Sequence, residues 1–425
     1  MNSNYKGKRL LVIGGASQHC KIVEKAKEMG IETYVTDFLP DAPAKRMADH
    51  SYQINVTDTE GIKKLCEDEK IDGIISGWFD FCQMPYQLAC DATGLTSYGT
   101  KEQFETLTRK ANFKAACEKY GVGQPTPFDW KKFLENPSED LPYPLFVKPS
   151  DSRGSRGASV CRTVDELRSA IENAKKESYD GNAVAERYIE NAKMILAVYF
   201  FVDGEPYLQQ LSDAYFGDKK YGQEKINVVY KSPSRYADTY KRVADEKMKN
   251  MLRKLGLKNG PACFQAFLTD DDVFFYDPGR RCPGGEYERG LKRAIGVDYV
   301  QIMIEFALCG KIDGHDEIRH DLFDINGKHI MRLQINSKPG IVKNEIGFDE
   351  IAEIPGVEYV AMYHTVGDEI LNSGDVRMRY AQVVFVSDTI ESLKESVKRV
   401  YEKISVISDD GSELLVEPFN MDLIK

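Results

Sequence analysis

The residues best suited to bind a phosphate group lie between two short apolar segments. Residues 145–147 form a predicted strand that delivers Lys148, and the polar stretch 150–157 follows before a second strand starts near Ala158. Small residues in such a loop let backbone N–H groups approach phosphate oxygens, and the lysine adds a positive charge. The Walker pattern GxxxxGK[ST] is absent, so this is a strand-loop-strand phosphate loop. An ordinary flexible hairpin is the alternative.

A second candidate site comes from a predicted hairpin. Residues 262–269 and 273–277 are apolar segments separated by three aspartates. If those three residues form the loop, strand pairing is symmetric about Asp271, and Gln265 lies directly opposite Asp277. Directly opposed side chains have Cβ atoms roughly 5 Å apart. Because both residues offer oxygen atoms, the pair is close enough to share a cation.

The first hundred residues alternate apolar strands with amphipathic helices, which predicts a parallel sheet with helices on both faces. Strands are expected at residues 10–13, 33–36 and 71–76. The loop at 14–17 lacks the GxGxxG fingerprint of dinucleotide-binding folds. Asp37 nevertheless closes the second strand where a ribose-binding acid would lie. A nicotinamide dehydrogenase is therefore an alternative, and a turn-forming role for Asp37 is the simpler account.

The remaining chain is predicted to be mixed α/β. A helix at about 101–120 ends at Gly121, and five prolines between 125 and 144 mark a connecting region. Strands and helices then return, including a hairpin that turns at Asp203-Gly204. After about Lys338 the expected elements are a strand at 382–386, a helix at 391–402 and a strand at 414–416.

Four segments, taken in order and with their spacing, resemble the ATP-grasp superfamily of carboxylate-amine ligases and biotin-carboxylase-like enzymes. They are residues 109–114, 148–157, 185–191 and 276–285. The resemblance implies an α/β protein of the ATP-grasp fold, with a Rossmann-like pre-ATP-grasp domain at 1–105. A central ATP-grasp domain of two α+β lobes would occupy 106–340, with its flexible lobe at about 122–190. A small C-terminal α/β segment, 341–425, would complete the ligase core.

The resemblance also implies which residues bind ATP. Lys110 and Lys148 would contact the ATP phosphates, and Lys148 would also serve in catalysis. Glu186, together with the backbone near Tyr188 and Ile189, would recognise adenine. A flexible loop would close over the phosphates, and it consists of Ser152, Arg153, Gly154, Ser155, Arg156 and Gly157.

Three positions depart from the family pattern. The family holds Mg²⁺, with Mn²⁺ as an alternative, between two glutamates at the positions of Gln265 and Asp277. Gln265 offers an oxygen but no charge, and Gly279 replaces a common asparagine. Lys193 stands where many members have a ribose-binding acid, so it too is a candidate nucleotide contact. Weaker metal binding is expected, and a degenerate ATP-binding protein with a regulatory or partner role is the alternative to an active ligase.

The expected reaction joins a carboxylate to an amine or similar nucleophile through an acyl phosphate, with release of ADP and phosphate. Arg281 occupies the family's arginine position, where a guanidinium can hold the transferred phosphoryl group and the carboxylate. Arg280 beside it shares this role or points away. Loops 14–19 and 78–83 are candidate substrate pockets, because they follow parallel strands. Within the second loop, aromatic side chains would wall the substrate or pack under the next domain: Trp78, Phe79 and Phe81.

Composition narrows the expected partners to small molecules. The 425 residues carry a formal net charge of −10, which argues against nucleic acid as the main partner. No apolar stretch approaches 18 residues, so a cytosolic protein without membrane contact is expected. The 9 cysteines contain no CxxC pair, and most of them are expected to be buried thiols. His315 and His320 lie in a polar segment and predict a surface loop. The resemblance makes a homodimer possible, because dimers are common among relatives.

Overall fold

The N-terminal region forms the predicted parallel sheet. The computed structural model describes residues 5–138, 140–150, 157–178, 180–223, 226–373 and 375–425. The sheet order is β3-β2-β1-β4, with β1 (Arg9–Ile13), β2 (Glu32–Thr36), β3 (His50–Tyr52) and β4 (Gly73–Ile75). The connecting helices are α1 (Ser17–Glu28), α2 (Pro43–Met47), α3 (Thr59–Asp68) and α4 (Asp80–Thr93). Side chains 10–13 of β1 are wholly buried, as expected for a strand covered on both faces.

Two helices, and not one, connect this sheet to the rest of the chain. The prediction of a continuous helix at 101–120 is wrong, because α5 (Lys101–Thr108) ends where Arg109 adopts an extended backbone. A new helix, α6 (Lys110–Tyr120), starts at the next residue and is capped by Gly121 as predicted. Leu107 of α5 and Phe113 of α6 are both fully buried in one hydrophobic core, and the break between the helices allows both side chains to reach it.

A small lobe follows, built on a four-stranded antiparallel sheet in the order β5-β8-β6-β7. Its helices α7 and α8 lie between strands in the chain, and Leu145, Val147 and Leu167 are part of its own hydrophobic core. The elements are β5 (Pro127–Phe128), α7 (Trp130–Glu135), β6 (Leu145–Pro149), β7 (Ser159–Cys161), α8 (Val164–Glu177) and β8 (Ala183–Arg187).

The large lobe is an eight-stranded antiparallel sheet in the order β13-β12-β9-β10-β11-β14-β18-β16. Residues 194–202 of its central strand β9 are all buried, since the sheet is covered on both faces. The first elements of this lobe are β9 (Lys193–Val202), β10 (Glu205–Phe216), β11 (Asn227–Ser232), α9 (Ala237–Tyr240), α10 (Glu246–Lys254), β12 (Gly260–Leu268) and β13 (Val273–Gly279). Helices α11 (Tyr287–Ile295) and α12 (Tyr299–Cys309) join the hydrophobic core of the N-terminal sheet.

The C-terminal part completes the large sheet and adds a small one. Its elements are β14 (His329–Asn336), β15 (Gly340–Ile346), β16 (Val357–Met362), β17 (Glu369–Ile370), β18 (Arg379–Ser387), α13 (Ile390–Lys403) and β19 (Ser405–Ser408). The small sheet has the order β17-β15-β19. The predicted strand at 414–416 is wrong, because this segment forms only isolated bridges, such as Ser337 to Leu415. Within the described residues, no helix has the length and apolarity needed to cross a membrane.

Candidate functional site

The hairpin of β12 and β13 places Gln265 directly opposite Asp277, as predicted. The reason given by the sequence pattern is wrong, however. Leu268 pairs with Val273, so the turn has four residues and not three, and a bulge at Tyr276 then restores the predicted pair. The Tyr276 hydroxyl donates to Gln265 Oε1 over 2.9 Å, which orients the amide oxygen.

Helix α6 links the two lobes through lysines on one of its faces. Lys110 Nζ lies 3.0 Å from Asp277 Oδ1 on the large sheet. Lys114, one helical turn later, forms an ion pair with Glu186 on the small-lobe strand β8. Side chains at positions i and i+4 are about 6 Å apart on a helix, so the two carboxylates are brought to the same cleft. Lys114 was not among the predicted site residues, although its spacing from Lys110 was the available signal.

Glu186 and Lys148 form the small-lobe side of this cleft. Lys148 Nζ lies 2.8 Å from Glu186 Oε1, and only 4% of Glu186 is exposed. Burial raises the pKa of Glu186, but the charges of Lys148 and Lys114 outweigh it and hold that pKa below its ordinary value. Burial lowers the pKa of Lys148, and Glu186 only partly offsets this. The carboxylate is therefore ionised and shared by two lysines.

Most of the predicted phosphate loop lies outside the described residues, namely Ser152, Arg153, Gly154, Ser155 and Arg156. Its two ends are described. Lys148 stands near the end of β6, and Gly157 precedes β7 with a φ of +72°. A Cβ atom at Gly157 would lie 2.8 Å from that of Glu177, so glycine suits this position in both backbone conformation and space.

The predicted adenine contacts lie in the connection between the two lobes. Tyr188 and Ile189 are half-buried and follow β8 directly, and the Tyr188 N–H donates to the Pro144 carbonyl over 2.8 Å. Lys193 begins β9 and is exposed. These residues therefore lie in or next to the segment that connects the small lobe to the large lobe. Their contact with a nucleotide stays a prediction.

The two neighbouring arginines that follow β13, Arg280 and Arg281, differ in their surroundings. Arg281 Nη2 donates to Asp80 Oδ2 over 2.7 Å, so the N-terminal region contributes a carboxylate to this site. Arg280 is fully buried and donates to backbone carbonyls, including Pro261 over 2.7 Å and Asn259 over 2.6 Å. Arg280 therefore points away and holds the fold together, whereas Arg281 faces the Asp80 carboxylate and its role in the chemistry stays a prediction.

The N-terminal loops carry both buried and exposed aromatic side chains, and their role as a substrate pocket stays a prediction. Trp78 is only 1% exposed and packs in the core, which fits the packing alternative for this side chain and not the substrate wall. Phe79 and Phe81 are exposed by 39% and 53%. Asp37 accepts hydrogen bonds from the Gly15 N–H over 2.7 Å and the Leu39 N–H over 2.9 Å, which is the turn-forming role.

The oxygen atoms of Gln265 and Asp277 fit a weakly held hard cation. The Asp277 side chain is 39% exposed and its only ion-pair partner among the described residues is Lys110. That same part of the chain contains no group of three or more His, Cys, Asp or Glu side chains suited to a metal. One carboxylate and one amide oxygen are compatible with Mg²⁺, which commonly takes its other ligands from phosphates and water.

Comparison with known proteins supports the same fold and family. Residues 10–80 match the family model "PylC-like, N-terminal domain", and residues 122–276 match "D-ala D-ala ligase C-terminus". The formate-dependent phosphoribosylglycinamide formyltransferase of Pasteurella multocida is 22% identical over 94% of this chain and 97% of its own length. The enzyme of the same name from Wolinella succinogenes is 25% identical over 43% of this chain, and that match spans 48% of its length.

A solved structure has a similar overall fold. The biotin carboxylase domain of 2-oxoglutarate carboxylase from Hydrogenobacter thermophilus, solved with MgADP, ADP and bicarbonate, superposes with a TM-score of 0.71. The sequence identity is 19%, and the match covers 96% of this chain and 91% of that one. Given the shared fold, the order of the four segments and the two matching domain models, the protein belongs to the ATP-grasp superfamily.

Proposed function

We propose that the protein is an ATP-dependent ligase that activates a carboxylate as an acyl phosphate for attack by an amine or similar nucleophile. The observation that carries this proposal is the pair of lysines on α6. Lys110 reaches Asp277 on the large sheet, and Lys114 reaches Glu186 on the small lobe. One helix thus aligns the charged groups of both lobes on a single cleft.

The lysines supply the positive charge that a triphosphate requires. Lys148, Lys110 and Lys114 converge on two carboxylates, so the cleft has one more cation than anions at its centre. A bound triphosphate would replace the carboxylates as the partner of these lysines, and charge-assisted hydrogen bonds of this kind are among the strongest in proteins. In the transferring state, the same lysines stabilise the negative charge that develops on the phosphoryl oxygens.

Gln265 and Asp277 would hold Mg²⁺ together with phosphate oxygens. When bound, the ion supplies positive charge that offsets the charge of the phosphates. The relative from H. thermophilus was solved with MgADP, which supports this choice of ion and nucleotide. Asp277 must first leave Lys110, and Tyr276 keeps the Gln265 oxygen in place.

Arg281 is proposed to bind the carboxylate substrate beside the transferring phosphoryl group. Its guanidinium has two nitrogens paired with Asp80, a bidentate arrangement that a substrate carboxylate can reproduce. Asp80 begins α4, next to the exposed Phe79 and Phe81. The carboxylate substrate would therefore enter between the N-terminal loops and the segment after β13.

Two measurements test this function in sequence. A thermal-shift assay should show stabilisation by ATP with Mg²⁺ and none by NAD. Release of ADP is then measured with pooled carboxylates and amines, and one pool should raise it above the background. If no pool does so in protein that binds ATP, the ligase function is wrong.

A second candidate function is a degenerate ATP-binding protein with a regulatory or partner role. The uncharged Gln265 favours it, because one carboxylate holds a metal less firmly than two. Under this alternative ATP stabilises the protein, but ADP release stays at background with every pool. A Gln265→Glu variant that gains ADP release would show that the missing charge is the cause.

A further inference from the structure

A second group of positive charges lies on the large sheet, away from the nucleotide lysines. Arg332 of β14 pairs in register with Tyr230 of β11, and Arg379 of β18 pairs with Asn336 at the end of β14. The Arg332 guanidinium lies 4.1 Å from the centre of the Tyr230 ring, and that of Arg379 lies 5.1 Å from the Tyr363 ring. The tyrosine rings hold both cations in place.

Within the described residues, neither guanidinium is compensated by an ion pair, and the Nε atom of each is buried without a hydrogen-bond partner. Burial lowers the pKa of Arg332, and the nearby charge of Arg379 lowers it further. A desolvated cation such as Arg332 and a neighbouring group of the same charge repel each other unless an anion lies between them. The pair therefore has the properties of an anion site.

The backbone around Arg332 is shaped to leave its guanidinium room. Arg332 Nη1 donates to the Gly284 carbonyl over 2.6 Å. A Cβ atom at Gly285 would lie 1.9 Å from the same nitrogen, and Gly285 has a φ of +99°, so only glycine fits here. This loop begins directly after Arg281, which ties the arginine pair to the residue proposed to bind the carboxylate substrate.

Other polar and aromatic side chains of the large sheet lie close to the arginine pair. Burial raises the pKa of Tyr230, Arg332 and Arg379 lower it, and the Asp277 carboxylate raises it. Tyr230, whose ring contacts Arg332, belongs to an apolar cluster on the sheet against which Tyr276 packs. Further along the sheet, buried amide oxygens lack a donor within the described residues: Gln334, Asn336 and Gln382. They can accept hydrogen bonds from a polar ligand.

We propose that Arg332 and Arg379 bind an oxyanionic group of the substrate, a carboxylate or a phosphate monoester, that is separate from the carboxylate being activated. This inference rests on the proposed ligase function and narrows its substrate class to molecules with a second anionic group. Arg281 then holds the reacting end of the substrate, and the arginine pair holds its other end. The unpartnered amide oxygens accept hydrogen bonds from hydroxyl or ammonium groups of the same substrate.

Calorimetry with inorganic phosphate and with succinate tests the site. Titrations are run with and without a saturating non-hydrolysable ATP analogue and Mg²⁺, so that anions at the nucleotide lysines are distinguished. At least one anion should bind in the presence of the analogue, at least tenfold more weakly in Arg332→Gln and Arg379→Gln, with nucleotide affinity unchanged. Binding of phosphate alone identifies a phosphate monoester, and binding of succinate alone identifies a carboxylate.

Two control variants keep the test falsifiable. Arg293→Gln removes an arginine that is 70% exposed on α11 and should leave anion binding unchanged. Arg332→Lys keeps the charge and should bind more tightly than Arg332→Gln, which a loss of folding would not produce. The site is overturned if neither anion binds beside the analogue, or if binding survives in both glutamine variants.

The outcome also separates this inference from the proposed function. If anion binding depends on the arginines but no substrate pool releases ADP, the ligase function is wrong and the anion site stands. If a pool releases ADP with the same KM in wild type, Arg332→Gln and Arg379→Gln, the ligase function stands and the anion site is wrong.

Discussion

Replacing Lys114 by methionine tests whether α6 serves the nucleotide cleft. Lys114 was not among the predicted site residues, and its only ion pair among the described residues joins it to Glu186. Methionine keeps most of the side-chain length and removes the charge. Because Glu186 keeps its contact with Lys148 at 2.8 Å, the variant should fold.

The expected loss of affinity follows from the exposure of Lys114. A hydrogen bond to a charged group contributes about 1.5–3 kcal/mol. The Lys114 side chain is 22% exposed, so solvent screening reduces this to about 1–2 kcal/mol. Since about 1.4 kcal/mol corresponds to a tenfold change in affinity, the Kd for nucleotide should rise about 5- to 30-fold.

The assay is calorimetric titration of wild type and Lys114→Met with a non-hydrolysable ATP analogue and Mg²⁺. Lys119→Met is the matched control, because Lys119 lies on the same helix, is exposed and faces the Tyr120 ring. The control should bind like the wild type. If Lys114→Met and Lys119→Met have the same Kd, Lys114 does not contact the nucleotide and the role given to α6 is wrong.

Three further outcomes are expected. Asp277→Asn should abolish ADP release. Its circular dichroism spectrum should match that of wild type, because this half-exposed carboxylate pairs only with Lys110 among the described residues. Full activity of the variant would place the metal elsewhere. Arg280→Met should lower the free energy of unfolding by about 3 kcal/mol or more, because buried backbone carbonyls lose their donor. Arg281→Met should keep the fold and lose turnover. Equal free energies of unfolding for the two variants would contradict this assignment. Burial lowers the pKa of His19 to about 4 in the folded protein, below the value of about 6.5 in the unfolded chain. As the pH decreases below 6.5, the unfolded chain binds a proton before the folded protein does, so the free energy of unfolding decreases. From pH 7 to 5 the wild type should lose about 2 kcal/mol more than His19→Gln in urea unfolding, and parallel losses would refute the buried neutral imidazole.

The strand pattern of the sequence was informative because it records local burial. The parallel N-terminal sheet and the pairing of Gln265 with Asp277 are both confirmed. The pairing, however, depends on a bulge at Tyr276 that compensates for a longer turn. Alternation of side chains does not reveal a bulge, so the predicted register was correct although the predicted loop was wrong.

Contacts between distant segments account for what the sequence did not show. Nothing in the local pattern at Arg109 predicts the break between α5 and α6, which burial of Leu107 and Phe113 in one core favours. Asp80 lies about two hundred residues before Arg281, so only the fold pairs them. The burial of Trp78 also depends on a distant segment. The Lys21 ammonium lies 4.8 Å from the Trp78 ring, and the same ammonium pairs with Glu286 far along the chain.

We propose that Lys148 contributes to an ATP site between the two lobes. Calorimetry with the non-hydrolysable ATP analogue and Mg²⁺, on wild type and Lys148→Ala, tests it directly. Lys114 remains paired with Glu186 in that variant, so the protein should fold and its nucleotide affinity should fall severely. An unchanged Kd in folded Lys148→Ala protein would contradict the assignment of this cleft.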